Sequence, residues 1–236
     1  MRRAPSASQN QLVDHLTGGR ADTILVHELS GWLATSSRFE RFATAHADKI
    51  RKKFRGATEP DARRDVRAEL AVAHLLLADR RIELHYEAYG AAKGGPDFTA
   101  TFRGGRAFNL EVTRLRRSPA EADGSSQILA KLRQLPPSVP NVVVLAIGGP
   151  TATALDVDRA IRSLRSRADR KGEAFFIDRG FASSRAFHER SLRLAAVITW
   201  SEDAGGDERA SLWVNASARI RLAESTARAC LACFRA

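Results

Sequence analysis

The spacing of hydrophobic residues changes along the chain, from a helical repeat over the first eighty positions to strand-like alternation further on. The helical part predicts two helices before residue 34, a basic amphipathic helix over 37–55 and a longer helix over 61–80. The remainder predicts, in order, a strand over 82–88, a strand pair within 95–113, a helix over 118–135, a buried strand over 141–147, a helix over 153–168, strands over 192–200 and 212–214, and a helix over 217–234. Helices and strands that alternate in this way predict an α/β fold.

The strand pair joined by a glycine turn carries one acid on each strand, Asp97 and Glu111. A two-residue loop at 104–105 would place Asp97 opposite Val112 and would mix apolar and polar side chains on both faces. A three-residue loop at 103–105, ending on a left-handed glycine, would instead place Asp97 directly opposite Glu111. Only the second register separates the faces, so we expect the two carboxylates to be cross-strand neighbours.

In this register one face of the strand pair is apolar and the other is polar. The apolar face, which we expect to join the core, consists of Phe98, Ala100, Phe102, Phe108, Leu110 and Val112. The polar face consists of Asp97, Thr99, Thr101, Asn109, Glu111 and Thr113. Like charges directly opposite destabilise a sheet by roughly 0.2–1 kcal/mol, and a hard divalent cation such as Mg²⁺ would offset that cost. The alternative is a solvated polar face on which the two acids meet by accident.

Length and composition limit the architecture and the location of the protein. The chain has 236 residues, of which 44% are hydrophobic and 28% are charged, and it predicts one compact domain over 61–236 with a basic, helical extension over 1–60. Cys230 and Cys233 have no second pair to complete a zinc site, so we expect them at apolar positions of the last helix. There is no targeting segment, and the longest apolar run, 142–147, is too short to cross a bilayer, which predicts a cytoplasmic protein without a membrane partner.

A formal charge of +11 and a pI near 10.7 favour a polyanionic partner, with nucleic acid as the first candidate. The alternative is an excess of arginine produced by GC-rich coding without selection for binding. The basic helix over 37–55 is accordingly either a phosphate-contacting arm or a solvated helix surface. Candidate nucleic-acid contacts are Lys52, Lys53, Arg55, Lys93, Arg114, Arg116 and Arg117.

The order of these elements and of their polar residues resembles the PD-(D/E)XK nuclease superfamily over about 62–147. The motif residues, in chain order, are Glu69 on a helix, Pro96-Asp97 and Glu111-Val112-Thr113 on strands, and Gln127 with Lys131 on the next helix. The resemblance implies a restriction-endonuclease-like mixed sheet with an αβββαβ core flanked by helices, followed by an elaboration over 150–236.

The resemblance also implies a metal site and its chemistry. Asp97, Glu111 and the Val112 carbonyl would hold Mg²⁺ or Mn²⁺, and Glu69 would ligate the ion directly or through water. The family usually has lysine where this chain has Thr113, and threonine cannot supply that positive charge. Two lysines could take its place, Lys131 and Lys93. We prefer Lys131, because Gln127 and Lys131 resemble a pair found in exonuclease-like members.

These features predict a metal-dependent nuclease, either endonuclease or exonuclease, that hydrolyses phosphodiester bonds of DNA in preference to RNA. A second hypothesis, suggested by Thr113, is a nuclease-like domain that binds nucleic acid or a partner protein without cutting. A third is a ribonuclease or a tRNA-directed toxin. A homodimer is compatible with the sequence.

Overall fold

A computed structural model describes residues 4–19, 23–89, 95–115, 125–148, 156–202 and 209–235. The chain divides into two compact units, Met1–Arg80 and Arg81–Ala236. The sequence predicted that the helical extension ends at residue 60. In the structure the helix predicted over 61–80 belongs to the same unit as the N-terminal helices.

The first unit is helical. Its helices are α1 (Ala7–Thr17), α2 (Thr23–Thr35), α3 (Ser37–Ala45), α4 (Ala47–Gly56) and α5 (Pro60–Ala78). The single helix predicted over 37–55 is wrong, because His46 leaves the helical region at φ −115° and ψ 17° and so separates α3 from α4. Leu16, Leu29, Phe39, Ile50 and Leu70 are fully buried and form the core of this unit.

The second unit contains a mixed β-sheet with helices beside it. Its elements are β1 (Ile82–Tyr86), β2 (Phe98–Phe102), β3 (Phe108–Leu115), α6 (Ser125–Leu132), β4 (Asn141–Ile147), α7 (Val157–Asp169), α8 (Glu173–Ile177), α9 (Ser184–Ser191), β5 (Leu194–Ser201), β6 (Ala210–Val214) and α10 (Glu224–Arg235). The six strands lie in sequence order; β1, β2 and β3 are antiparallel, β3, β4 and β5 are parallel, and β6 is antiparallel to β5. An α/β fold with an open mixed sheet is therefore confirmed.

The register predicted for the strand pair β2–β3 is also confirmed. Phe98 lies opposite Leu110, and Ala100 lies opposite Phe108. The predicted turn is wrong in one detail, since the left-handed residues are Arg103 (φ 53°) and Gly104 (φ 65°) and not Gly105. The turn closes when the Gly105 N–H donates to the Phe102 carbonyl at 3.0 Å, and the irregular residues 105–107 absorb the one-residue shift.

Helices cover both faces of the sheet. On one face, a hydrophobic cluster joins Val143, Leu145 and Val197 to residues of α6, α7 and α9, such as Ile128 and Phe187. On the other face, the Trp200 ring lies 5.8 Å from that of Phe234 on α10. Cys230 and Cys233, both on α10, are buried there as predicted. Within the described residues, no helix is long and apolar enough to cross a membrane.

Candidate active site

Asp97 and Glu111 lie side by side where β2 begins. Phe98 pairs with Leu110 in an antiparallel ladder. Asp97, which precedes Phe98, therefore stands opposite Glu111, which follows Leu110, and the two acids are cross-strand neighbours. Their carboxylates are tied to the backbone of the opposite strand. The Asp97 N–H donates to Glu111 Oε2 at 3.3 Å, and the Val112 N–H donates to Asp97 Oδ2 at 2.8 Å.

Lys131 reaches this acid pair from α6. Glu111 pairs with Val143 in the parallel β3–β4 ladder, and paired residues point to the same face, so Glu111 faces the layer in which α6 lies. Ile128, Leu129 and Leu132 anchor α6 in that layer. The Lys131 Nζ then donates to Glu111 Oε1 at 2.5 Å, with 4% of the glutamate side chain and 21% of the lysine side chain exposed.

The surroundings of Glu111 raise the pKa of its carboxyl from 4.5 to about 7. Burial is the largest cause, because removal from water penalises the charged form, and the nearby Asp97 carboxylate raises the pKa further. The Lys131 ammonium acts in the opposite direction and only partly offsets these effects. Near neutral pH this carboxyl therefore exchanges between its protonated and ionised forms.

The donor atoms at this site suit a hard divalent cation. Asp97 and Glu111 supply carboxylate oxygens, which Mg²⁺ and Mn²⁺ prefer. The N–H and C=O of one strand residue point to the same edge of the strand, and the Val112 N–H points to Asp97, so the Val112 carbonyl faces this edge as well. Among the residues the structure describes, no group of three or more His, Cys, Asp or Glu side chains could hold a metal ion. The candidate ligands here are two carboxylates and one carbonyl.

A layer of buried amides lies next to the acid pair and was not anticipated. Asn109, expected on a polar face, is fully buried, as is Asn141 on β4. The Thr99 hydroxyl donates to Asn109 Oδ1 at 3.0 Å, and the Asn109 amide donates to Asn141 Oδ1 at 2.9 Å. The Asn141 amide donates in turn to backbone carbonyls, including that of Arg193 at 3.0 Å. These contacts link β2, β3 and β4 and hold the register that sets Asp97 beside Glu111.

Two further candidate residues flank the acid pair. Thr113 is half-buried on β3, two residues after Glu111 and therefore on the same face. Gln127 is half-buried on α6, one helical turn before Lys131. The hydroxyl and amide add polar groups to the surroundings of the acids and no charge.

Glu69, the predicted helical acid, belongs to the first unit. It lies on α5, where its Oε2 accepts a hydrogen bond from Lys53 Nζ of α4 at 2.6 Å. Both side chains of this ion pair are largely buried, with 13% of Glu69 and 25% of Lys53 exposed. Lys53, expected to contact nucleic acid, is thus engaged with a predicted catalytic acid.

The other basic candidates are separated in the structure. Lys52 and Arg55 are exposed on α4 in the first unit, whereas Arg114 is half-buried on β3 in the second. Lys93, Arg116 and Arg117 lie outside the described residues.

Comparison with known proteins identified no relative: no protein-family model matches the chain, and neither a curated protein nor a solved structure does.

Proposed function

We propose that this protein is a metal-dependent phosphodiesterase that acts on nucleic acid, with DNA as the favoured substrate. The observation that carries the proposal is the grouping of Asp97, Glu111 and Lys131 at the edge of β2 and β3. Two acids that would repel each other are held together by backbone hydrogen bonds, and a cation already touches one of them. This arrangement combines a ligand set for a divalent ion with a positive group for a phosphate.

The element order supports membership of the PD-(D/E)XK superfamily as part of this proposal. The sequence α5, β1, β2, β3, α6, β4 follows the αβββαβ core of that family. Asp97 directly precedes the second strand and Glu111 lies within the third, in the order of the family's motifs. Glu69 enters the proposal through this resemblance alone.

Asp97, Glu111 and the Val112 carbonyl would hold Mg²⁺ or Mn²⁺, which when bound would activate a water molecule and neutralise charge on the scissile phosphate. The backbone N–H of Val112 fixes the Asp97 carboxylate in place. A pKa near 7 allows Glu111 to be ionised at slightly alkaline pH at little cost.

Lys131 would take the role of the lysine that Thr113 replaces. Its ammonium group is a compact point charge that can stabilise a phosphate oxygen as negative charge develops. Lys131 Nζ lies at 2.5 Å from Glu111, within the site and not on its margin. Glu111 orients the ammonium group, and burial strengthens its electrostatic effect.

The proposal can be tested with the purified full chain and Mg²⁺ or Mn²⁺ on plasmid, linear, single-stranded and RNA substrates. We expect cleavage by the parent protein and its loss in Asp97→Asn, Glu111→Gln and Lys131→Gln. Glu189→Gln is a matched control, because Glu189 is an exposed acid on α9 that pairs with Arg185, one helical turn away. No cleavage of any substrate, or equal cleavage by the parent and the acid variants, would refute the proposal.

The second candidate is a domain that binds nucleic acid without cutting, and the Thr113 substitution together with the Glu111–Lys131 ion pair favours it. In this case Lys131 serves only to neutralise a buried acid. Salt-sensitive binding that EDTA and Lys131→Ala both leave unchanged, without turnover, would support this function. Turnover that disappears in Lys131→Ala would exclude it.

A further inference from the structure

Arginines gather around the turn between β2 and β3, at the opposite end of β2 from Asp97. Two adjoining cavities, of about 360 and 310 Å³, share Phe102, Arg103 and Ser225 in their linings. Arg106 and Arg221 line the first cavity as well, and Arg81 and Arg228 line the second. The five arginines are all exposed to solvent.

Positive side chains predominate in the lining of these cavities. Among the described residues, no aspartate or glutamate lines either cavity. Arg228 pairs with Glu224 one turn away on α10, at 2.7 Å. No aspartate or glutamate of the described residues forms an ion pair with Arg103, Arg106 or Arg221. Clustered positive groups of this kind attract a negatively charged ligand, which lowers their mutual repulsion.

The Phe102 ring contacts two arginine side chains, and a backbone hydrogen bond joins the two residues that carry them. The guanidinium carbons of Arg81 and Arg103 lie 5.1 and 5.4 Å from the centroid of the Phe102 ring. The Arg103 N–H donates to the Arg81 carbonyl at 2.8 Å. Arg103 also has φ 53°, a conformation in which glycine is favoured, although glycines follow it at the next two positions. An arginine kept in a left-handed turn and restrained by stacking is typical of a binding function, since little freedom remains to be lost.

We propose that these cavities form a second contact surface, which binds the sugar-phosphate backbone of the nucleic acid whose scissile bond lies at Asp97 and Glu111. The choice of nucleic acid rests on the proposed function. Arg103 is six residues from Asp97 along an extended strand, a distance of about 20 Å. Phe102 and α10 put the cavities on the face of the sheet opposite to that of the two acids, so a substrate that meets both surfaces passes around the end of the β2–β3 pair. The arginine surface would therefore fix the substrate at a set distance from the cleavage point.

The test measures binding of the full chain to a fluorescent DNA duplex of about 20 base pairs in EDTA, where no cutting occurs. The variant is Arg106→Gln with Arg221→Gln. The matched control is Arg159→Gln with Arg170→Gln, which removes the same charge from exposed positions on and just after α7. Thermal unfolding of both variants verifies that they are folded.

We expect the dissociation constant of the Arg106 and Arg221 variant to rise about tenfold, and the control to stay within about twofold of the parent. The slope of log K against log salt should fall by about 1.8 in the variant, since each phosphate contact contributes about 0.9. An equal loss in variant and control would mean that only net charge matters, and would overturn the inference. Binding of the duplex by the parent without salt dependence would also overturn the inference.

This experiment separates the inference from the proposed function. A parent that binds through Arg106 and Arg221 but never cleaves would sustain the arginine surface and refute the hydrolysis. If the parent cleaves with Mg²⁺ and the variant retains its affinity, the hydrolysis is sustained and the arginine surface is refuted.

Discussion

Replacing Glu111 by glutamine should change how the stability of the protein depends on pH. Glu111 is 3% exposed and lies beside a second acid, and these surroundings raise its pKa to about 7. Glutamine has nearly the same shape and can still accept a hydrogen bond from Lys131, but it carries no charge at any pH. The variant therefore removes the titration and keeps most of the contacts.

The sign and size of the change in unfolding free energy follow from the pKa values of Glu111 in the folded and unfolded states. A folded-state pKa of about 7, above the ordinary value of 4.5, means that the folded protein holds the proton more tightly than the unfolded chain. The stabilisation from this group is complete below the unfolded pKa and is lost as pH rises through the folded pKa. The whole loss is about 3 kcal/mol, of which about 2 kcal/mol falls between pH 5.5 and pH 8.5. Relative to the parent, Glu111→Gln should gain this amount over that range.

Urea unfolding at a series of pH values measures the effect. A Trp32→Phe background leaves Trp200 on β5 and Trp213 on β6 as fluorescent reporters, so the signal follows the unit that contains the site. Comparison of the variant with this parent cancels other titrations that the two proteins share, such as that of His74, whose pKa burial lowers.

The reasoning would be refuted if the unfolding free energies of Glu111→Gln and its parent ran parallel between pH 5.5 and pH 8.5. Glu189→Gln, on the surface of α9, should run parallel to the parent and so provides the control. Addition of Mg²⁺ at pH 8 gives a second readout that needs no activity. The ion should stabilise the parent, because it favours the ionised carboxylate, and should leave Glu111→Gln unchanged.

Four further substitutions have defined expectations. Lys131→Met removes the group that lowers the Glu111 pKa, so urea unfolding at pH 8 should show a loss of roughly 1–2 kcal/mol that disappears near pH 5. Asn141→Ala leaves buried partners of its amide unsatisfied, and the same measurement should show a loss of about 3 kcal/mol at any pH. Arg103→Gly relieves a left-handed conformation and should stabilise the protein by up to about 1 kcal/mol while weakening binding of the DNA duplex. Gly104→Ala, with φ 65° and open space around the added carbon, should destabilise by a similar amount and leave binding unchanged.

The sequence predicted the central strand pair well because alternation and turn length are both local. Phe98, Leu110 and the residues that share their face are apolar, and only one register keeps them together, as the structure confirms. β4 matches its predicted bounds because a continuous apolar run flanked by turn residues has few other interpretations. These parts of the fold depend on neighbours in the chain.

Other features were missed, some because they depend on residues far apart in the chain and some because their local signal is weak. Alternation places Asn109 and Glu111 on a polar face, but it cannot show whether that face meets water or a helix. In the structure Lys131 of α6 contacts Glu111, Asn109 bonds to Asn141 of β4, and both Glu111 and Asn109 are buried. The helices α8 and α9 have five and eight residues, too short for a clear periodic signal. The left-handed Arg103 was missed because glycines nearby are the expected choice for that conformation.

The position of the lysine has a consequence for the charge of the site. A lysine in place of Thr113 would be carried by the same strand as Glu111 and would stand beside it whatever α6 did. Lys131 is instead carried by α6, so the ammonium group reaches Glu111 only when Ile128 and Leu132 are packed in the core. The same helix covers Glu111 and excludes the water that would keep its pKa near 4.5. Packing of α6 therefore supplies both the burial that raises the pKa of this carboxyl and the ammonium group that lowers it. The ionisation of the acid pair is thus linked to the docking of one short helix.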